Sequence, residues 1–299
     1  MDLRLLRAFL AVADHRHYGA AAHQLSLTQP ALTKQIQTLE RQLGGHLFTR
    51  GRHGAALTDL GQSLLTDARD LVVRSDLLAS RAVRFAQGTV GRLSVGFGLS
   101  SIELAPWSVA EFRRRWPDVS VTLDDMSSRA QIERIAAADL DVGFVRLPAG
   151  AGLQQYTLRQ DRLAVAAPSA PAGELGAWLR EHDLVRLHRD KGPGLAGHID
   201  RFCAAQAATP GTVQVAHDLQ TVLALVAAGV GPALVPASAT RIAPSTVSVT
   251  PIDDPGASWD VGVVWNPEHC PPVVSNFLNV VVPGSVRAGQ PSAVGNVRS

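Results

Sequence analysis

Residues 18–61 constrain this chain more than any other stretch. They place a short small-residue helix, a tight turn, a longer amphipathic helix and a basic hairpin in fixed order. In the longer helix Leu32, Ile36, Leu39 and Leu43 recur at spacings of four, three and four, which is one apolar face. Gln29, Thr33, Lys34 and Gln37 fall on other faces and stay polar. Thr28 is suited to the N-cap, where its hydroxyl accepts from an unpaired backbone N–H of the first turn. Pro30 falls in that turn, where no intrahelical N–H is required, and Gly44-Gly45 ends the helix. Ala20, Ala21 and Ala22 allow a neighbouring helix to approach closely, and Leu3, Leu6, Phe9, Leu10 and Ala13 predict the buried stripe of a helix before them. The order suits a winged helix-turn-helix that lays its second helix in the DNA major groove. A three-helix scaffold with no ligand is the plainer alternative.

The segment that follows favours DNA. Leu47 and Phe48 are apolar anchors, and Arg50, Arg52 and His53 cluster around Gly51 and Gly54, a hairpin with a basic tip. Beside a reading helix such a tip reaches phosphates or the minor groove. Charge agrees: residues 1–91 carry 11 Lys/Arg against 7 Asp/Glu, net +4, whereas residues 92–299 are net −2. A basic excess confined to one end is what local phosphate binding asks for.

From Thr58 to about Gln87 the chain reads as one helix. Leu60, Leu64, Ala68, Leu71, Ser75, Leu78, Ala82 and Phe85 form a near-heptad seam. At 1.5 Å per residue such a helix spans about 45 Å, too long to bury on a sixty-residue domain alone, so a partner helix is expected. Gly88-Thr89-Val90-Gly91 interrupts it. Beyond, strands expected at Arg92–Phe97, Val119–Leu123, Asp141–Val145, Arg162–Ala167, Leu184–Leu187 and Gly262–Trp265 alternate with helices at Trp107–Trp116 and Ser127–Ala138. That alternation predicts a parallel sheet in two α/β lobes, with ligands at the carboxyl ends of strands.

The chain resembles the LysR-type transcriptional regulators over residues 1 to about 282. The family's Ser/Thr-Gln-Pro-Ala-Leu-Ser/Thr-basic-Gln-Ile run is Thr28-Gln29-Pro30-Ala31-Leu32-Thr33-Lys34-Gln35-Ile36. Leu39-Glu40, Leu43-Gly44, Leu47-Phe48-Thr49-Arg50 and Leu57-Thr58-Asp59-Leu60-Gly61 continue it at unbroken spacing. In the remainder, Gly91–Gly96, Phe112–Val119, Leu140–Phe144 and Val226–Gly231 with Leu234-Val235-Pro236 match the family's later motifs. Lys34, His53, Ala55 and Leu60 depart from the common residues, and Lys34 offers a point charge where Arg would offer a bidentate fork.

The resemblance implies an α/β protein with an N-terminal winged helix-turn-helix (1–58), a linker and dimerisation helix with hinge (59–91) and a two-lobed effector domain like a periplasmic binding protein (92–282). Lobe one would take about 92–161 and 266–282, lobe two about 162–265, and residues 283–299 a mobile tail. It implies promoter DNA as partner, contacted by Thr28, Gln29, Pro30, Thr33, Lys34, Gln37, Arg50, Arg52 and His53. Gln29, Thr33 and Lys34 are then the base-reading group, Gln being most at home on adenine. It also implies a homodimer assembling to a tetramer and direct or indirect action on RNA polymerase.

Ser100, Ser101, Ser128 and Arg146 follow lobe-one strands, where hydroxyls and a guanidinium serve an anionic effector, or else a plain cap and a solvated Arg. The Ser, Ser, Arg pattern resembles the branch sensing aromatic-acid metabolites, which suggests an aromatic or other carboxylate. Lys191-Gly192-Pro193-Gly194 reads first as a turn, and Gln220-Thr221 opens a further helix of lobe two.

Two other classes compete. An enzyme would need a motif, and no Gly-x-Ser-x-Gly, phosphate-binding Gly-Lys-Ser/Thr or His-Glu-x-x-His is present. His269-Cys270 lacks the further ligands of a zinc site, so neither catalytic residues, metal nor cofactor are expected. A transport solute-binding protein would begin with a signal peptide or lipid-anchor Cys. With no membrane-length apolar run and two Cys, Cys203 and Cys270, a cytoplasmic protein with reduced thiols is expected.

Overall fold

The computed structural model describes residues 2–51 and 54–282. The chain divides into two compact units, one ending at Arg84 and the other beginning at Phe85.

In the first unit, α1 (Leu3–His15) is capped by Asp2, whose carboxylate accepts from the Arg4 amide at 2.9 Å. Its buried face is Leu5, Leu6, Ala8, Phe9, Ala11 and Val12, while Leu3 is exposed. The expected stripe therefore needs correcting: Leu10 and Ala13 only flank the core, and the true face is rotated to include the small residues against which α2 packs. Helix α2 (Tyr18–Gln24) starts at His17, whose Nδ1 accepts from the Gly19 and Ala20 amides. Helix α3 (Gln29–Leu43) has Thr28 as N-cap, with Pro30 in its first turn and Gly44 in the left-handed region at its end. Leu32, Ile36 and Leu39 are buried together with Ala21, Ala22, Leu47 and Phe48. Strands β1 (Phe48–Gly51) and β2 (Gly54–Leu57) pair antiparallel, and the Ala55 amide donates to Arg16 O at 2.9 Å, tying the hairpin to the end of α1.

Helix α4 (Asp59–Ala86) opens on Thr58, whose hydroxyl donates to His46 O at 2.6 Å and accepts from the Gly61 amide at 3.0 Å. Gly61 is required here, because a Cβ would lie 2.3 Å from Leu47 O. The 28 residues span about 42 Å. Leu60, Leu64, Leu65, Ala68 and Val72 pack on the unit's core. Ion pairs of Asp14 with Arg69 and of Arg7 with Asp76 hold α4 along α1. Beyond Val72 the apolar side chains are bare: Leu77 and Leu78 are 64% and 70% exposed, and Val83 and Phe85 are alike.

The second unit begins at the hinge. Gly88, at φ +65°, lies so close to Pro272 and Val273 that a Cβ would meet their backbone at 2.5 Å, and Asn276 Nδ2 donates to Gln87 O at 2.9 Å. Strand β3 (Gly91–Phe97) follows, then α5 (Leu104–Arg115), β4 (Val119–Asp125), α6 (Ser128–Ala136) and β5 (Val142–Arg146). Strands β4, β3 and β5 are parallel neighbours, as expected for βαβ units. Next come β6 (Gln154–Ala167), α7 (Leu175–Glu181), β7 (Leu184–Leu187), α8 (Pro193–Ala205), β8 (Thr212–Ala216), α9 (Leu219–Ala227), β9 (Ala233–Pro236), β10 (Ser248–Pro251), β11 (Ser258–Trp265) and α10 (Pro272–Val281).

The sheet is mixed, not purely parallel. Strand β11 is antiparallel to both β5 and β6, and the second half of β6 pairs antiparallel with β9 and β10. Strand β6 is thus far longer than the expected Arg162–Ala167, and with β11 it runs through both lobes. Val261–Trp265 pair with β5 of the first lobe, so β11, expected within lobe two, is shared by both. Phe112, Phe144 and Phe277 centre the lobe-one core, with α10 returning to it. Leu163, Leu179, Leu184, Phe202 and Leu234 centre that of lobe two, beside the β7–β8 pair.

Candidate functional site

On α3 the apolar face is wholly committed to the core, and this turns Gln29, Pro30, Lys34 and Gln37 outward to solvent. Lys34 makes no ion pair among the described residues, so its charge is available. Thr33 is half-buried and its hydroxyl donates to Gln29 O at 2.9 Å. The Thr33 oxygen can therefore accept but its proton is already spent. Thr28 Oγ1 accepts from the Ala31 amide at 3.4 Å, a cap and not a free group. Arg41, one turn beyond Gln37 on the same exposed face, was not anticipated; its guanidinium folds back to Gln37 O and Thr38 Oγ1. Its spacing from Lys34 and Gln37 was the available signal. Arg50 stands on β1 opposite Ala55, whereas Arg52 and His53 lie outside the described residues.

The second site is a cavity of about 750 Å³ between the two lobes. Ser100, Ser101, Ser128 and Arg146 all line it, at the carboxyl ends of β3 and β5 and the start of α6. Ser100 Oγ accepts from Trp259 Nε1 at 3.1 Å and Ser128 Oγ accepts from the Arg146 amide at 3.0 Å. Each hydroxyl thus keeps its own proton for a ligand oxygen. Ser101 takes the capping alternative: it is 1% exposed, accepts from the Gly98 amide and donates to Gly98 O at 3.0 Å.

Arg146 is not a solvated side chain. Its Nη1 donates to Gly194 O of α8 at 2.8 Å, and its guanidinium lies 3.9 Å from the Trp259 ring centroid. Burial pushes its pKa down to about 10, against the pull of Asp161 and with help from Arg201. It remains a cation at neutral pH, held in a partly dehydrated place.

Lobe two supplies groups the sequence reading left aside. Lys191-Gly192-Pro193-Gly194, read first as a turn, leads into α8 and lines the cavity with Arg201, His217 and Asp218. Gln220 and Thr221 do open α9, but Asp218 caps that helix through the Thr221 amide and hydroxyl at 2.7 and 2.8 Å. Burial raises the Asp125 carboxyl, and Lys191 opposes that shift. Cys203 lies in the lobe-two core, where burial raises its thiol, and Cys270 packs beside the lobe-one core; both are free. Among the described residues no three His, Cys, Asp or Glu side chains are grouped to hold a metal, and no helix is long and apolar enough to cross a membrane.

Residues 3–62 match the family model described as "Bacterial regulatory helix-turn-helix protein, lysR family", and residues 86–284 match "LysR substrate binding domain". The chain belongs to the LysR family. It is 31% identical to the HTH-type transcriptional regulator ClcR of Pseudomonas putida over 288 residues, covering 94% of this chain and 98% of that protein. Against IlvR of Caulobacter vibrioides it is 32% identical over 289 residues, covering 94% and 97%. Among solved structures, that of CbnR, a LysR family transcriptional regulator, superposes with a TM-score of 0.80 at 29% identity, covering 94% of this chain and 100% of that one. Full-length CbnR complexed with its target DNA gives 0.77 at the same identity, covering 94% and 98%. This LysR-type protein is therefore a DNA-binding transcriptional regulator with an effector-binding domain.

Proposed function

We propose that this regulator reads promoter DNA through the outward edge of α3 and answers to a small carboxylate in the interlobe cavity. The observation that carries the first half is the division of α3: Leu32, Ile36 and Leu39 are buried while Gln29, Lys34 and Gln37 face solvent. Gln29 and Lys34 serve base edges, Thr33 acts as an acceptor, and Thr28 and Pro30 fix the first turn so that this edge is presented. Gln37, Arg50, Arg52 and His53 serve the phosphates or minor groove. The superposition on CbnR bound to its target DNA supports the same edge.

The second half rests on Ser100, Ser128 and Arg146, two free hydroxyl protons and a half-buried cation converging on one cavity, with Ser101 shaping the turn. A ligand that binds one arrangement of the lobes better than another shifts the equilibrium by that difference and no more. The bare half of α4 is covered by the same helix of a second copy. Two such dimers assemble to a tetramer whose spacing on the promoter changes with effector and so changes recruitment of RNA polymerase, directly or through the DNA bend. The protein performs no catalysis and works in the cytoplasm, where a bacterial promoter lies. On this reading the DNA-binding domain is 1–58, the linker 59–91, the effector domain 92–282 with the two lobes divided near 161 and 265, and 283–299 a tail.

Promoter footprinting with and without a panel of aromatic carboxylates tests the sensor half; a footprint indifferent to every member would remove it. Replacing Gln29 and Lys34 by Ala tests the reading edge. Each good base contact is worth about 1–3 kcal/mol of discrimination, so site-specific retardation should be lost while the protein stays dimeric. Unaltered site selection in that variant would rule the edge out.

A further inference from the structure

Between α1 and α2 the chain turns through two exposed residues, Arg16 and His17. Arg16 ends α1 in the left-handed region at φ +53°, where its amide donates to Val12 O at 2.8 Å. Gly takes that place at lower cost, because a Cβ there crowds the following carbonyl. The Arg16 carbonyl is the acceptor for the Ala55 amide, and Ala55 stands opposite Arg50 on the hairpin. On the other side of the turn, a Cβ added to Gly19 would lie 3.0 Å from His17 Cε1 and 3.8 Å from Gln29 Oε1. The turn therefore lies between the hairpin and the first residue of α3.

Both side chains offer donors to the outside. Residues 2–51 hold three carboxylates, and each is engaged elsewhere: Asp2 with Arg4, Asp14 with Arg69, Glu40 with His46 and the Leu47 amide. The Arg16 guanidinium makes no hydrogen bond or ion pair among the described residues. A long cation held at a backbone cost, with nothing inside the protein to hold it there, points to an outside partner. His17 Nδ1 accepts from the Gly19 and Ala20 amides at 3.1 and 3.2 Å. An imidazole that accepts at Nδ1 carries its proton on Nε2, so the ring presents one N–H of fixed direction on the edge turned away from the helix. The first amides of α2 are spent on that ring, so an approaching anion meets the two side chains and not the helix end.

We propose that this turn is a further DNA contact, in which the Arg16 guanidinium and the His17 Nε2–H bind sugar–phosphate backbone between the reading helix and the hairpin. In a helix-turn-helix the first helix of the motif crosses the backbone while the second enters the groove. The turn opens that first helix. Arg16 supplies a charge and His17 a directed neutral donor, so the first adds to salt-dependent affinity and the second does not. Neither reads a base. The contact rests on the reading of the α3 edge as the groove-facing one, but it uses residues outside α3.

Titration of the full-length protein onto two DNA duplexes over a range of salt tests this. One duplex has random sequence; the other is selected from a random pool by the unmodified protein. Arg16→Gln should weaken both by a similar factor, about tenfold, and lower the slope of log affinity on log salt by about one per bound subunit. Arg16→Lys should restore the slope. Arg16→Gly should raise the melting transition of the DNA-binding unit, since Gly enters the left-handed region freely, yet bind DNA as poorly as Arg16→Gln. A purely structural Arg16 would not set stability against binding in this way. His17→Ser keeps an N-cap but removes the Nε2–H, so it should melt close to the parent and weaken both duplexes about fivefold at unchanged slope. Affinity and slope indifferent to Arg16→Gln would overturn the Arg16 contact, and full affinity in His17→Ser would overturn that of His17. Weakening confined to the selected duplex would overturn the phosphate assignment, because such a contact is blind to sequence. Unaltered site selection in the Gln29, Lys34 double alanine variant, with both duplexes still weakened by Arg16→Gln, would remove the α3 edge and leave the turn's contact standing.

Discussion

The DNA-reading edge and the effector cavity are built on opposite principles. On α3 the functional groups lie on the far side of a helix from its core, so nothing inside the protein competes for Gln29, Lys34 or Gln37. In the cavity the polar groups named from the sequence are already engaged: Ser128 with the Arg146 amide, Ser100 with Trp259, Arg146 with Gly194 O. A surface that meets a large outside partner needs only to be held rigid and left bare. A pocket that surrounds a small ligand must satisfy its own polar groups while empty, and its residues come from several elements and both lobes. Binding at the first site adds contacts; binding at the second exchanges them, and exchange is what a sensor needs.

Three substitutions sharpen or break that contrast. The largest effect is expected from Leu32→Ala, because this side chain is fully buried under the reading edge. Loss of such a residue costs about 3 kcal/mol, read as a lower melting transition of the DNA-binding unit with the effector unit's transition in place. A single shifted transition for the whole chain would show that the two units do not hold independent cores. Next, Leu78→Asp puts a charge in the bare half of α4, where the side chain is 70% exposed. It should dissociate the dimer in sedimentation equilibrium and weaken promoter binding, while the monomer melts within about 0.5 kcal/mol of its parent, as exposed substitutions do. A dimer that survives would move the interface elsewhere. The smallest effect on the fold belongs to Ser128→Ala, which leaves the Arg146 amide without its acceptor and should cost about 1 kcal/mol. Promoter binding without effector should persist and the response to carboxylate should fall. A full response would show that the exchange at Ser128 is not used.

How much was legible follows from the same contrast. The caps at Thr28 and Gly44, the apolar face of α3 and the hairpin were all readable because each depends on neighbours within four residues or so. The stripe of α1 was misplaced because Leu3 and Leu6 satisfy the helical period as well as Leu5 and Leu6 do; contact with the small residues of α2 decided the rotation. The first half of β6 was missed because Gln154, Gln155 and Tyr156 are exposed polar and aromatic residues with no alternation, paired only on account of β11. Arg201 carried no motif, and it is the packing of α8 in lobe two that sets it on the cavity.

The amino-acid sequence by itself determined the family, the local helices and the exposed reading edge, because helical periodicity, capping and apolar burial act over short separations. Only the tertiary structure decided the mixed sheet threaded by β6 and β11 and the seating of Arg146 against Trp259 and Gly194. Those depend on pairings between residues far apart in the chain, whose energies exist only once the lobes have closed upon each other.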